Sequence, residues 1–220
     1  MHFSWRRFVP LATALLLAGC ASQPSHVELA PLPVASAPAA PLPATVDETA
    51  PARFRIDFET SRGPFLVEVT RSQAPHGADR LYSLVKAKYF DGSRFYRVVP
   101  GFMVQWGAAA DPAVTKAWDR TFPDDPVKGT NTRGTVTFAA LSQPDSRSTH
   151  LFINYADNAR LGSLGFAPVG TVVKGMENVD RIYSGDGENP DQSEIQEQGN
   201  AYLQKQFPRL DYIITARLVP

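Results

Sequence analysis

Apolar and polar positions alternate from Phe54 onward: Phe54, Ile56 and Phe58 are separated by charged residues, Ser61-Arg62-Gly63-Pro64 interrupts, and Phe65, Val67 and Val69 resume the period of two. That pattern predicts a β-hairpin with one buried face. The period then changes. Pro75 stands where a helix can start, Leu81, Leu84, Val85 and Lys88 recur at helical spacing, and Asp91-Gly92 closes the segment. A second hairpin follows, in which Phe95 to Val99 and Phe102 to Gln105 flank a Pro100-Gly101 turn. Strict alternation puts Phe95, Arg97 and Val99 on one face, and sets Phe102 and Val104 against Met103 and Gln105. An arginine and a glutamine among large apolar groups are the chain's first sign of chemistry.

Further strands are predicted at Gly134 to Ala140, His150 to Tyr155, Pro168 to Lys174 and Tyr212 to Val219, with a helix from Met176 to Tyr183 that aligns Met176, Val179 and Ile182. Many short strands with two helices indicate a mainly β domain whose sheet edges are removed by closure, although periodicity alone leaves barrel and sandwich both open. Two connections are too long to be featureless. Asp111 to Asn131 carries Trp118 and Phe122, and Gly185 to Leu210 pairs Asp191 and Glu194 at capping-box spacing ahead of Ile195, Tyr202, Leu203 and Phe207. The expected role of both is to cover the barrel.

Charge changes this picture little. Lys and Arg number 22 against 22 Asp and Glu, so no basic excess points to nucleic acid. His2, His26, His76 and His150 have no metal-ligand spacing, and the loop carboxylates Asp111, Asp119, Asp124 and Asp125 lack the spaced pattern of a calcium site. Ser148-Thr149-His150 does not make a hydrolase, because neighbours on a strand point to opposite faces and no nucleophile elbow is present.

The first residues matter more. Arg6 and Arg7 precede an apolar stretch from Phe8 to Ala18 that ends at Leu17-Ala18-Gly19-Cys20. A basic start, a short apolar run and small residues make an export signal over 1–19, too short for a stable membrane span. Cys20 is the only cysteine, which a plain secretory signal leaves as an incidental thiol. The run also resembles the bacterial lipobox, and that resemblance implies cleavage before Cys20 and lipidation of its sulfur and amine. Ala21 and Ser22 follow with no aspartate, which implies delivery to the outer membrane with the domain in the periplasm of a bacterial envelope. Pro, Ala and Ser dominate residues 20–52, so this segment is expected to be a disordered tether reaching between roughly 30 and 100 Å. The remainder, 53–220, is enough for one domain burying roughly 70% of its unfolded surface.

The hairpin Phe95-Tyr96-Arg97-Val98-Val99-Pro100-Gly101-Phe102-Met103-Val104-Gln105 resembles the signature of the cyclophilin-type peptidyl-prolyl isomerases. Gly134 to Ala139, Ser148 to Asn154, Gly165 to Gly170 and Val172 to Asp180 are similar to family segments in the same order. The resemblance covers most of the chain from about residue 53. It implies a closed eight-stranded antiparallel barrel capped by two helices, a monomeric catalytic domain and X-Pro isomerisation of unfolded exported proteins without a cofactor or metal. Arg97 matches the catalytic group. Phe102, Met103, Phe152 and Leu161 match the proline pocket, with Phe166 in place of a histidine found in many members. Gln105 matches the glutamine that orients the arginine, and Ala139 and Ala140 match an edge strand that pairs with the peptide.

Three positions depart from the family. His150 replaces a glutamine and brings a group that titrates near neutral pH. Ala140 replaces an asparagine, and the tryptophan that supports cyclosporin is missing beside Arg160-Leu161. A second reading follows from these departures, a peptide-binding module of the envelope with weak or no isomerase activity.

Overall fold

Residues 48–220 are described by a computed structural model; the expected signal peptide, the expected lipidation site Cys20 and nearly all of the expected tether lie outside them. The chain forms strands β1 (Arg53–Thr60), β2 (Phe65–Thr70), β3 (Arg97–Val99), β4 (Met103–Trp106), β5 (Thr135–Phe138), β6 (Leu151–Asn154), β7 (Pro168–Lys174) and β8 (Ile213–Val219). The first hairpin forms as its period predicts. Phe54 lies opposite Val69, Ile56 opposite Val67 and Phe58 opposite Phe65, so each buried residue meets a buried partner across the ladder. Packing extends upstream of Arg53, where the Ala50 amide donates to Asp79 Oδ1 at 2.8 Å and Ala50 is buried. The ordered domain therefore takes in residues that composition alone assigns to the tether.

All ladders are antiparallel, in the order β3-β4-β6-β5-β7-β2-β1-β8. The outer strands approach through a single bridge between Arg94 and Tyr212, flanked by the Phe95 amide on the Asp211 carbonyl at 2.9 Å and the Ile213 amide on the Ser93 carbonyl at 2.8 Å. The eight expected strands are present and the sheet curls, but the seam is short, so closure is less complete than in the expected barrel.

Helix α1 (Pro75–Lys86) covers one opening of the curl with Ala78, Leu81, Leu84 and Val85. Its N-terminal residue Ala74 has no side chain to cap the free amides, and Asp125 supplies the acceptors from the long 111–131 connection: His76 N–H donates at 3.0 Å and Gly77 N–H at 2.8 Å. The same connection contains α2 (Pro112–Trp118), capped by Asp111. The predicted Met176 helix is a single turn, α3 (Met176–Val179), and its Val179 together with Ile182 enters the core.

The 185–210 connection folds into α4 (Gln192–Gln198) and α5 (Asn200–Gln206). Asp191 caps α4 as its spacing predicts, accepting from Ser193 and Glu194 N–H. Ile195 and Leu203 pack with Tyr96, Ala108 and Leu210 in a cluster separate from the main core. Among the described residues no helix is long and apolar enough to cross a membrane.

Trp106 sits at the centre of the main core, with edge contacts to Phe58, Phe90 and Phe95 at ring separations of 6.0, 6.3 and 5.8 Å. Gly107 follows at φ +131°, and a Cβ there would lie 2.4 Å from His150 Cα and 2.5 Å from the Thr149 carbonyl oxygen. Only glycine allows the end of β4 to come this close to the start of β6. Gly107→Ala is therefore expected to lower stability by more than about 2 kcal/mol. Denaturant unfolding checks this, and an unchanged midpoint would show that the close approach is not required.

Candidate active site

The site grows out of one register. β3 pairs with β4 so that Arg97 faces Gln105 and Val99 faces Met103. β4 pairs with β6 so that Gln105 faces Phe152, and β6 pairs with β5 so that Phe152 faces Thr137. Directly opposed residues share a sheet face, so Arg97, Gln105, Phe152 and Thr137 form a row across four strands. Their chain neighbours Val98, Val104, Ile153 and Val136 point the other way, into the main core. The expected placement of Phe95 beside Arg97 is not what forms. Phe95 is buried in the main core with Val98, because β3 begins only at Arg97 and the residues before it are not extended strand.

Above this row lies a small apolar cluster of its own. Met103, Phe152 and Leu161 are buried, and Val99, Phe102, Ala139 and Phe166 pack around them. Phe152 meets Phe166 edge-on at 5.9 Å. Both aromatic walls are fixed from behind by a buried asparagine network. Asn131 Nδ2 donates to the Phe166 carbonyl at 2.8 Å and Asn158 Nδ2 to the Phe102 carbonyl at 2.9 Å. Asn154 Nδ2 donates to Asn131 Oδ1 at 3.2 Å, while Asn158 Nδ2 donates to Asn154 Oδ1 at 2.8 Å. Satisfied buried amides of this kind hold a geometry that apolar packing alone leaves adjustable.

Arg97 stands at the edge of the cluster. Its Nη1 donates to Gln105 Oε1 at 3.2 Å and lies 3.9 Å from Met103 Sδ. Its Nε donates to Glu188 Oε1 at 2.7 Å. Arginine has only donors, so the Gln105 oxygen must face it, and Gln105 Nε2 is left to donate to the Tyr96 hydroxyl at 2.9 Å. Tyr96 is wholly buried, and burial pushes its phenol above its ordinary value and keeps it protonated. His150 Nδ1 lies 2.7 Å from this hydroxyl. His150 Nε2 lies 3.0 Å from Gln196 Nε2, an amide nitrogen that only donates, so Nε2 accepts and the ring proton sits on Nδ1, toward the Tyr96 oxygen. Burial lowers the His150 pKa to about 4, and the Asp119 carboxylate opposes this only in part. The near-neutral titration that histidine offers in the sequence is thereby moved well into acid.

One groove of about 620 Å³ is lined by Arg97, Phe102, Met103, Gln105, Ala139, Ala140, His150, Phe152, Leu161 and Phe166, so all the candidate residues of the folded domain come together. Ala139 and Ala140 do so in a way the sequence does not predict. β5 is interior, between β6 and β7, and the two alanines lie beyond its end, with the Ala139 amide bonded to the His150 carbonyl at 2.8 Å. Gln192, Ser193 and Gln196 of α4 also line the groove, and Asp119 and Thr121 join from the other insertion. Sequence reading missed these, and it missed Tyr96 and Glu188. The capping pattern at Asp191 located α4, but nothing local to it indicates which wall the helix would form. No group of three or more His, Cys, Asp or Glu is arranged to hold a metal ion among the described residues.

Comparison with known proteins agrees with this geometry. The family model for cyclophilin type peptidyl-prolyl cis-trans isomerases matches residues 55–199. A peptidyl-prolyl cis-trans isomerase of Acinetobacter baylyi is 36% identical over 132 residues, covering 58% of this chain and 70% of that protein. Peptidyl-prolyl cis-trans isomerase A of Dickeya dadantii is 36% identical over 135 residues, covering 59% of this chain and 71% of its own length. A cyclophilin type isomerase structure from Cryptosporidium parvum superposes with a TM-score of 0.59 at 19% identity, over 76% of this chain and 98% of that one, which supports the fold. A profile spanning residues 55–199 and relatives matched over most of their length lead to one conclusion: the chain belongs to the cyclophilin-type peptidyl-prolyl cis-trans isomerases.

Proposed function

We propose that Arg97 drives X-Pro isomerisation in this chain by electrostatic stabilisation of the twisted amide, and that the enzyme acts on exported polypeptides in the bacterial envelope while anchored by lipid on Cys20. Rotation about the peptide bond faces a barrier of about 18–20 kcal/mol, because the C–N bond has partial double-bond character. When the bond twists, resonance is lost and the proline nitrogen gains a lone pair. A donor aimed at that lone pair binds the transition state more tightly than either ground state, which is the condition for raising the rate.

The observation that carries the reading is the position of the Arg97 fork beside the Met103, Phe152 and Leu161 cluster. A proline ring seated on that cluster would present its nitrogen near a permanently charged donor. The Cryptosporidium relative has also been described in the presence of the dipeptide Ala-Pro, a ligand of the chemistry this pocket would take. The envelope half of the proposal is supported by the basic and apolar start of the chain and by Leu17-Ala18-Gly19-Cys20. Several acyl chains on one cysteine would hold the protein firmly, at about 0.8 kcal/mol per buried CH₂.

Arg97→Ala is expected to lower kcat/KM toward a short X-Pro peptide by about a hundredfold while leaving peptide binding and the unfolding midpoint in place. A cis-to-trans rate assay on the purified full-length chain decides this: wild-type turnover in the variant would overturn the role of Arg97, and a wild-type chain without turnover would favour the binding module.

The His150 pKa of about 4 predicts a rate profile to which this residue adds no inflection near 6.5. The stability sign follows from the same shift. The unfolded chain takes up the proton first, so the contribution of neutral His150 is complete above about 6.5 and is lost as pH falls from there toward 4. His150→Gln should flatten that part of the stability curve. An inflection near neutral pH in wild-type turnover that vanishes in His150→Gln would contradict the assignment. For the anchor, Cys20→Ser is expected to move the protein from the membrane pellet to the soluble fraction in fractionated cells, and an unchanged pellet would rule out attachment through Cys20.

A further inference from the structure

The insertion over residues 185–210 reaches the reactive arginine twice, by different routes. On one side Glu188 Oε1 accepts from Arg97 Nε at 2.7 Å and from Nη2 at 2.5 Å. The loop that carries this carboxylate is fixed to the strand it serves: the Val98 amide donates to the Gly187 carbonyl at 3.0 Å, and the Gly187 amide donates to the Ser184 carbonyl at 3.1 Å. The outer edge of β3 is thereby covered, and the carboxylate is attached to backbone paired with the residue after Arg97. On the other side Gln196 meets His150, and the hydrogen bonds continue through Tyr96 and Gln105 to Arg97 Nη1. Gln196 is itself held in place, because its neighbour Ile195 is buried in one cluster with the Tyr96 ring.

We propose that this insertion is a positioning clamp for Arg97, in which Glu188 fixes the guanidinium directly and Gln196 fixes it through His150, Tyr96 and Gln105. The proposal rests on the reading of Arg97 as the electrophile. A guanidinium on a three-residue edge strand, with about a third of its side chain exposed, has several rotamers open to it. Contacts on both flanks leave one plane for the fork, so its remaining N–H groups face the groove before a peptide arrives. The Glu188 side chain is 59% exposed, so solvent screens its charge and its effect is orientation more than attraction. His150 fits the same account. Partners at both nitrogens hold the imidazole in one tautomer and one ring plane, and the second partner comes from α4.

Orientation acts on the step in which the amide twists, so the effect belongs to kcat. Glu188→Ala in the full-length chain is expected to lower kcat about tenfold, with KM within about twofold of wild type and the unfolding midpoint unchanged. Glu188→Gln keeps an acceptor for Nε–H and should retain most of the rate. Gln196→Ala, at the far end of the relay, should give a smaller fall of the same kind, about threefold. Arg97→Ala is measured beside them. If Arg97→Ala is inactive while Glu188→Ala keeps or exceeds wild-type kcat, the clamp is overturned and the catalytic reading stands. If Arg97→Ala turns over normally, the catalytic reading fails and the clamp fails with it.

Discussion

The register of β3, β4 and β6 is the constraint on which the site depends. Arg97, Gln105 and Phe152 reach one face because they are directly opposed on paired strands, and a shift of one residue in either ladder would send that strand's groups to the other face. The same register places Val98, Val104 and Ile153 in the main core. Burial of those three helps to hold the row in position, so packing of the sheet supports the geometry of the site. Gly107 extends the constraint at the end of β4, where backbone contact with Thr149 and His150 leaves no room for a side chain.

Behind the groove the chain uses polar groups for a task that apolar packing performs loosely. Asn131, Asn154 and Asn158 are buried and bonded to one another, and two of them hold the carbonyls of Phe102 and Phe166. These aromatic walls come from separate loops, and amide hydrogen bonds tie them to a single framework. The insertions contribute in a comparable manner. Asp125 caps α1 from the 111–131 connection, and the 185–210 connection forms a second apolar cluster around Tyr96. Segments expected only to cover the barrel therefore supply a helix cap, a groove wall and partners for Arg97.

Much of the fold was legible because its signals are local. The 54–69 hairpin follows from alternation and a Gly-Pro turn, α1 from a proline start and helical spacing, and α4 from Asp191 three residues ahead of Glu194. Errors arose where tertiary contacts override the local period. Phe95 continues the alternation of Arg97 on paper, yet β3 begins only at Arg97 and the Phe95 ring packs against Trp106. Ala139 and Ala140 read as strand, yet they lie past the end of β5, which is interior to the sheet. The titration of His150 could not be read at all, because it depends on burial beside Tyr96.

By itself the sequence determined most of the elements, their order and the family motif, since periodicity, turn residues and the hairpin pattern are properties of neighbouring positions. Only the tertiary structure decided which distant groups meet. Glu188 reaches Arg97 across 91 positions and Gln196 reaches His150 across 46. Neither contact leaves a mark on local pattern, because each is made by packing a helical insertion against a buried tyrosine and a covered sheet edge.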